Sequence, residues 1–190
     1  MNDTYINDEI FSGKDFSISP IMKGEYDSCR FEYCNFENVH ASNIQFVDCV
    51  FVHCNFSNAI VKNTAFKDVV FNQCKLMGVQ FSECDPFLLQ LKFSNCQLDF
   101  SSFYQLNIPN TNFVNCSLNS VDFTESNLEK AVFNSCNLKN AIFDTSNLEK
   151  SDFRTAKNIS ISPDENKLRG AKFSINSVSG LLNKYQIVIE

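Results

Sequence analysis

Nine cysteines and two histidines are the side chains with the most chemistry to offer in this 190-residue sequence. Thiolates and imidazoles ligate zinc, paired thiols close disulfides, and a thiol beside an imidazole makes a nucleophile. Spacing argues against zinc, and although stacked cysteines would come within disulfide range at roughly 4.8 Å, the odd count and the expected compartment argue for free thiols. No Cys-x-x-Cys pair suits zinc, and the cysteines recur at multiples of five residues apart from the one interval of 12 between Cys84 and Cys96. Neither a glycine-rich phosphate loop nor a nucleophile elbow is present. The sequence therefore predicts no enzyme, no cofactor and no metal site. The acids are the remaining candidates. The net charge is −6 and the isoelectric point about 4.9, which opposes direct nucleic-acid binding because phosphates are repelled. Residues 1 to 48 carry all of that excess, among them Glu25, Asp27, Glu32 and Glu37. These four are either a surface for a basic partner or simply a solvated face.

The elements that position these residues follow from a repeat of unusually short period. Large apolar residues fall on every fifth position from Phe11 to Phe81, and again from Phe93 to Phe153. Seventeen of the 20 phenylalanines lie in this series, the exceptions being Phe87, Phe100 and Phe173. Two residues before each, apart from Glu9 and Lys14 in the first turn, sits a small or apolar side chain, and all nine cysteines occupy that position. Residues two apart share one face of extended chain. Each unit thus has a small inward residue, an outward residue, a large inward residue and two polar residues that turn the chain. Neither helix nor long strand has period five, so the pattern describes a polygon wound into a solenoid.

The polygon has four sides. From Phe113 to Phe153 the large residue alternates Phe and Leu, which keeps stacked columns uniform only if the number of sides is even. Cys34, Cys54, Cys74, Cys96, Cys116 and Cys136 recur every 20 residues, apart from one interval of 22. Coils of four five-residue sides would stack at roughly 4.8 Å, and about eight of them make a rod roughly 40 Å long. Each buried phenylalanine contributes roughly 2–3 kcal/mol of transfer free energy. In that register His40 and His53 point outward on different turns. The cysteines read as small hydrophobes.

With 44% hydrophobic and 20% charged residues the chain has enough apolar material for a core. No stretch approaches the roughly 18 apolar residues of a membrane span, and the acidic start lacks a signal-peptide pattern. No membrane partner and a cytoplasmic location are expected.

Three segments depart from the repeat. Residues 1–15 read as an N-terminal cap before the repeat of 16–158. A two-residue slip follows Pro86, within 85–91, and puts Phe87, Leu88 and Leu89 where a regular coil has no place for them. They serve local packing, which is slightly favoured, or an exposed contact. Residues 159–190 read as a last coil edge, a short amphipathic helix over 174–185 and a strand from Gln186 to Ile189. There Leu181, Leu182, Tyr185, Ile187 and Ile189 form an apolar end face that is either a cap or a dimer contact.

The units Ala131-Val132-Phe133-Asn134-Ser135, Ser126-Asn127-Leu128-Glu129-Lys130, Ala141-Ile142-Phe143-Asp144-Thr145 and Ser151-Asp152-Phe153-Arg154-Thr155 resemble the repeat of the pentapeptide-repeat proteins. The resemblance implies an all-β solenoid, specifically a right-handed quadrilateral β-helix. Within that family the interrupted mid-chain repeat, the cysteine-rich small position and the Leu-Leu tail resemble the Qnr quinolone-resistance group and its microcin- and albicidin-immunity relatives. That resemblance implies a homodimer joined through the C-terminal segment and a protein partner, a type II topoisomerase such as DNA gyrase or topoisomerase IV. The alternative is a structural or scaffold protein with an unrelated partner or none.

Overall fold

The computed structural model describes residues 4–188. Its local geometry follows from the corners. Backbone φ lies between +51° and +57° at Asn38, Asn43, Asp48, His53, Asn58, Asn63 and Asp68, one residue in five, and the pattern resumes from Asn95 to Lys150. Among residues with a Cβ, Asn and Asp enter this left-handed region at the lowest cost, which explains their frequency at the turns.

Between corners the chain is extended for a few residues only. Eleven short strands are found among the described residues: β1 (Thr4–Asn7), β2 (Ile10–Ser12), β3 (Gly24–Asp27), β4 (Arg30–Glu32), β5 (Gln45–Val47), β6 (Val50–Val52), β7 (Ala65–Lys67), β8 (Val69–Asn72), β9 (Leu91–Ser94), β10 (Asn112–Val114) and β11 (Val132–Asn134). They form two parallel sheets, β1-β3-β5-β7 and β11-β10-β9-β8-β6-β4-β2. A third face is a run of single parallel bridges from Asp15 through Asn35, Asn55 and Lys75 to Lys157, and a fourth includes His40–Ile60 and Gln80–Ser102–Asp122–Ile142. The protein is therefore a four-sided parallel solenoid. Residue 31 faces residue 51, whereas Phe71 faces Phe93, so the two extra residues are absorbed between β8 and β9.

Stacking like on like builds the core. Phe31, Phe51, Phe71, Phe93, Phe113, Phe133 and Phe153 form a continuous column, with centroids 5.1 Å apart for Phe113 and Phe133 and 5.6 Å across the slip. Phe81, Phe103, Phe123 and Phe143 make a second column whose rings meet the first edge-on, as Phe113 and Phe123 do at 79°. Aromatic pairs favour these two geometries.

The cysteines fill the small inward position, and all nine are free and buried. Seven of their thiols donate to backbone carbonyls of the preceding coil, among them Cys54 Sγ to Phe31 O at 3.4 Å and Cys136 Sγ to Phe113 O at 3.3 Å. Burial pushes the Cys49 thiol up to about 12 and that of Cys84 up as well. Since the thiolate is the reactive species, native protein is expected to show no fast reaction with an aromatic disulfide reagent. All nine should titrate once guanidinium unfolds the chain; prompt native labelling would contradict this packing.

The ends differ from expectation. Residues 4–15, read as a cap, already lie in ladder register, with Phe11 opposite Phe31. At the other end the amphipathic helix is replaced by two 3₁₀ turns, Val178–Leu181 and Asn183–Tyr185. Residues 186–188 form no strand, and Ile189 lies outside the described residues. Gly180 packs closely on the backbone of Ile159 and accepts from the Ile161 N–H at 3.2 Å, seating the tail against the rod.

Candidate functional site

Phe, Leu and Cys fill the interior among the described residues, so a site has to be sought on the outer faces. The corner between the two sheets is the informative one. In each regular coil the corner N–H donates to the carbonyl of the residue before the corner in the next coil: Asp8 to Asp27 (3.1 Å), Ser28 to Val47 (2.9 Å), Asp48 to Lys67 (2.9 Å), Asn110 to Glu129 (2.8 Å), Lys130 to Glu149 (2.8 Å) and Lys150 to Arg169 (3.0 Å). At the slip this series lapses. Among the described residues no such bond joins Asp68 to Phe87 or Leu88 to Pro109; instead the Val69 N–H reaches Gln90 O at 2.9 Å and the Gln90 N–H reaches Phe66 O at 3.0 Å. The chain is pushed outward at Phe87 and Leu88. A groove of about 600 Å³ opens there, its lining including Val47, Asp48, Asp68, Leu88, Leu89 and Pro109.

The three apolar residues of the slip separate. Leu89 is half-buried and packs against the core, but Phe87 and Leu88 are each 65% exposed, which corrects the preference for local packing. The Phe87 N–H donates to Asp85 Oδ1 at 2.9 Å, fixing the turn that projects them. Lys67 Nζ lies 6.0 Å above the Phe87 ring. Leu88 stands at the corner with φ +58°, where the coils before it place Asp48 and Asp68. An aliphatic side chain in that region is strained, by roughly 1 kcal/mol. Replacing Leu88 by asparagine should therefore raise the unfolding free energy by about 1 kcal/mol, read as a higher urea midpoint. A lower midpoint would show that the exposed side chain contributes packing after all.

The acidic candidates do not form one patch. Glu25 and Asp27 flank Tyr26 on β3, and Asp27 accepts from Tyr5 Oη at 2.9 Å. Glu32 lies on the adjacent sheet, 2.6 Å from Arg30 Nε. Glu37, on the third face, accepts from Asn55 Nδ2 at 3.1 Å. Counting along the chain could not reveal this, because neighbours in sequence point to different sides of a square coil. His40 is exposed on the fourth face, and His53 stacks on Tyr33 with centroids 4.8 Å apart. Among the described residues no group of three or more His, Cys, Asp or Glu is placed to hold a metal, and no helix is long and apolar enough to cross a membrane.

In the tail, Leu181 packs against the core, while Leu182, Tyr185 and Ile187 are exposed. Asp164 receives both Lys184 and Tyr185, the latter at 2.9 Å, and these hydrogen bonds hold its carboxyl below the usual carboxylate range. Reading by fives missed Ile175 and Val188, which are more exposed still.

The model of the pentapeptide repeat region matches residues 25–86 and 87–162, meeting at the slip. The chain belongs to the pentapeptide-repeat family. No curated protein sequence matches it. This pentapeptide-repeat rod is similar in fold to two trypsin-treated forms of QnrB1, described as a plasmid-mediated fluoroquinolone resistance protein. One shares 14% identity over 98% of this chain and 92% of that one, with a TM-score of 0.73. The other shares 13% identity over 98% and 100%, with a TM-score of 0.65.

Proposed function

We propose that this pentapeptide-repeat rod is a non-catalytic macromolecule-binding protein of the cytoplasm that acts on a type II topoisomerase and relieves the effect of inhibitors on it. The observation that carries the binding role is the exposed Phe87-Leu88 step, held at a strained corner above a groove. Exposed apolar side chains kept at a cost to stability mark contact surfaces more often than solvated loops. The choice of partner draws on the fold shared with QnrB1. A homodimer through the exposed tail residues Leu182, Tyr185 and Ile187 belongs to the same reading.

Supercoiling by purified gyrase, with and without a fluoroquinolone, across a titration of this protein tests it. Rescue of drugged enzyme, abolished by the double change Phe87→Ser with Leu88→Asn, is the expected result. No change in either reaction at high micromolar protein would sink the topoisomerase assignment and favour a scaffold role with another partner.

A further inference from the structure

The edge that carries the groove reverses its charge there. Following the corner coil by coil, the residue at it is Asp8, Ser28, Asp48 and Asp68, then Leu88, then the neutral Asn110, then Lys130, Lys150 and Gly170, with Asp27 and Arg169 immediately before Ser28 and Gly170. Corner hydrogen bonds stack these positions coil on coil within each half, from Asp8 to Lys67 and from Asn110 to Arg169, and the pairing of β8 with β9 carries the register across the slip. Neighbours temper both halves without inverting them: Lys67 precedes Asp68 on the acidic side, while Glu129 and Glu149 precede Lys130 and Lys150 and leave the basic side positive by one charge. Lys92 Nζ sits 2.8 Å from Asp68, and Glu129 lies 3.5 Å from Lys130 and 3.1 Å from Lys150. Eight steps at roughly 4.8 Å give an edge of roughly 38 Å. An extended segment of about twelve residues has that reach.

Exposed ion pairs are individually weak, so a charge ladder of this kind selects and orients a partner more than it binds it. Affinity has to come from a desolvated apolar contact. The groove beside Leu88 is positioned to supply that contact at the point where the charge changes sign.

We propose that this edge docks an extended segment of a partner protein with split charge: basic residues along Asp8 to Asp68, a large apolar side chain in the groove beside Leu88, and acidic residues along Lys130, Lys150 and Arg169. The inference rests on reading the edge as partner-binding, and it does not require the partner to be a topoisomerase. Such a segment lies in one direction only, because reversing it places like charges together at both ends.

The test uses the full chain and a fluorescein-labelled twelve-residue peptide with lysines at one end, a central Leu-Phe pair and glutamates at the other. Its control has the same composition with the charges shuffled. At low salt the split peptide should bind about tenfold more tightly than the shuffled one. Lys130→Glu with Lys150→Glu should remove that preference. Leu88→Asn should weaken binding of both peptides about tenfold, with circular dichroism and thermal midpoint showing the rod intact. Equal binding of split and shuffled peptides, or no saturable binding at millimolar peptide, overturns the proposal. Split-peptide binding by a protein that leaves gyrase untouched retains this inference and removes the topoisomerase reading.

Discussion

Phe113→Ala is expected to cost about 3–5 kcal/mol of unfolding free energy. The ring is fully buried. It stacks between Phe93 and Phe133 at 5.2 and 5.1 Å and meets Phe103 and Phe123 edge-on. Removing it forfeits the transfer free energy of the ring, leaves a cavity and breaks the column at its middle. Contacts in a solenoid are between neighbouring coils, so a central lesion also weakens the coupling between the two halves. Urea unfolding should show a lower midpoint and a broadened or two-step transition. Phe173→Ala is the control, since that half-buried ring stacks on Phe153 at the end of the column and its loss should cost far less. Equal losses at the two positions would mean that the column does not act as a continuous core.

The second large effect is expected from one methyl group. A Cβ at Gly180 would stand 2.1 Å from Ile159 O and 2.9 Å from its carbonyl carbon, both backbone atoms. Neither can yield without moving the chain, so Gly180→Ala should lift the tail and break the bond from the Ile161 N–H to Gly180 O. Overpacking of this kind costs about 1–3 kcal/mol. The readout is local. Trypsin should cleave after Lys184 at least about tenfold faster in the variant, while far-ultraviolet circular dichroism keeps the rod signal. Ser179→Ala, at an exposed neighbour, should leave cleavage unchanged. Unaltered cleavage in the glycine variant would show that the tail is not seated by this contact. Loss of a dimer in the same variant, seen by sedimentation, would place the self-contact in the seated tail.

Much of the fold was legible because its rule is local. Period five, the even alternation of Phe113, Leu118 and Phe123, and the cysteine spacing of 20 are properties of a coil that repeats without change. Long-range contacts then follow by counting, and Phe31 had to meet Phe51. The slip was legible too, as the interval of 22 from Cys74 to Cys96. Its consequence was not. A count of two extra residues does not say which side chains are expelled, and packing decided that Leu89 turns inward while Phe87 and Leu88 turn out. One signal was available: corners recurring in fives lead to position 88, where leucine stands in place of the usual Asp or Asn.

The acids show the same boundary between pattern and packing. Glu25, Asp27, Glu32 and Glu37 read as a cluster along the chain, yet the square coil sends them to three faces and gives Glu32 to Arg30. The tail's short helical pattern, interrupted by Gly180, resolves into two 3₁₀ turns, and its seating on Ile159 is a contact between residues some twenty apart that no local pattern carries. By itself, then, the sequence determined the repeat, the four sides and the inward columns, the cysteines among them, since each depends on residues at fixed separation along one chain. Only the tertiary structure decided which side chains share an edge, where a groove opens and how the charge along that edge divides, because those depend on coils meeting from positions some twenty residues apart.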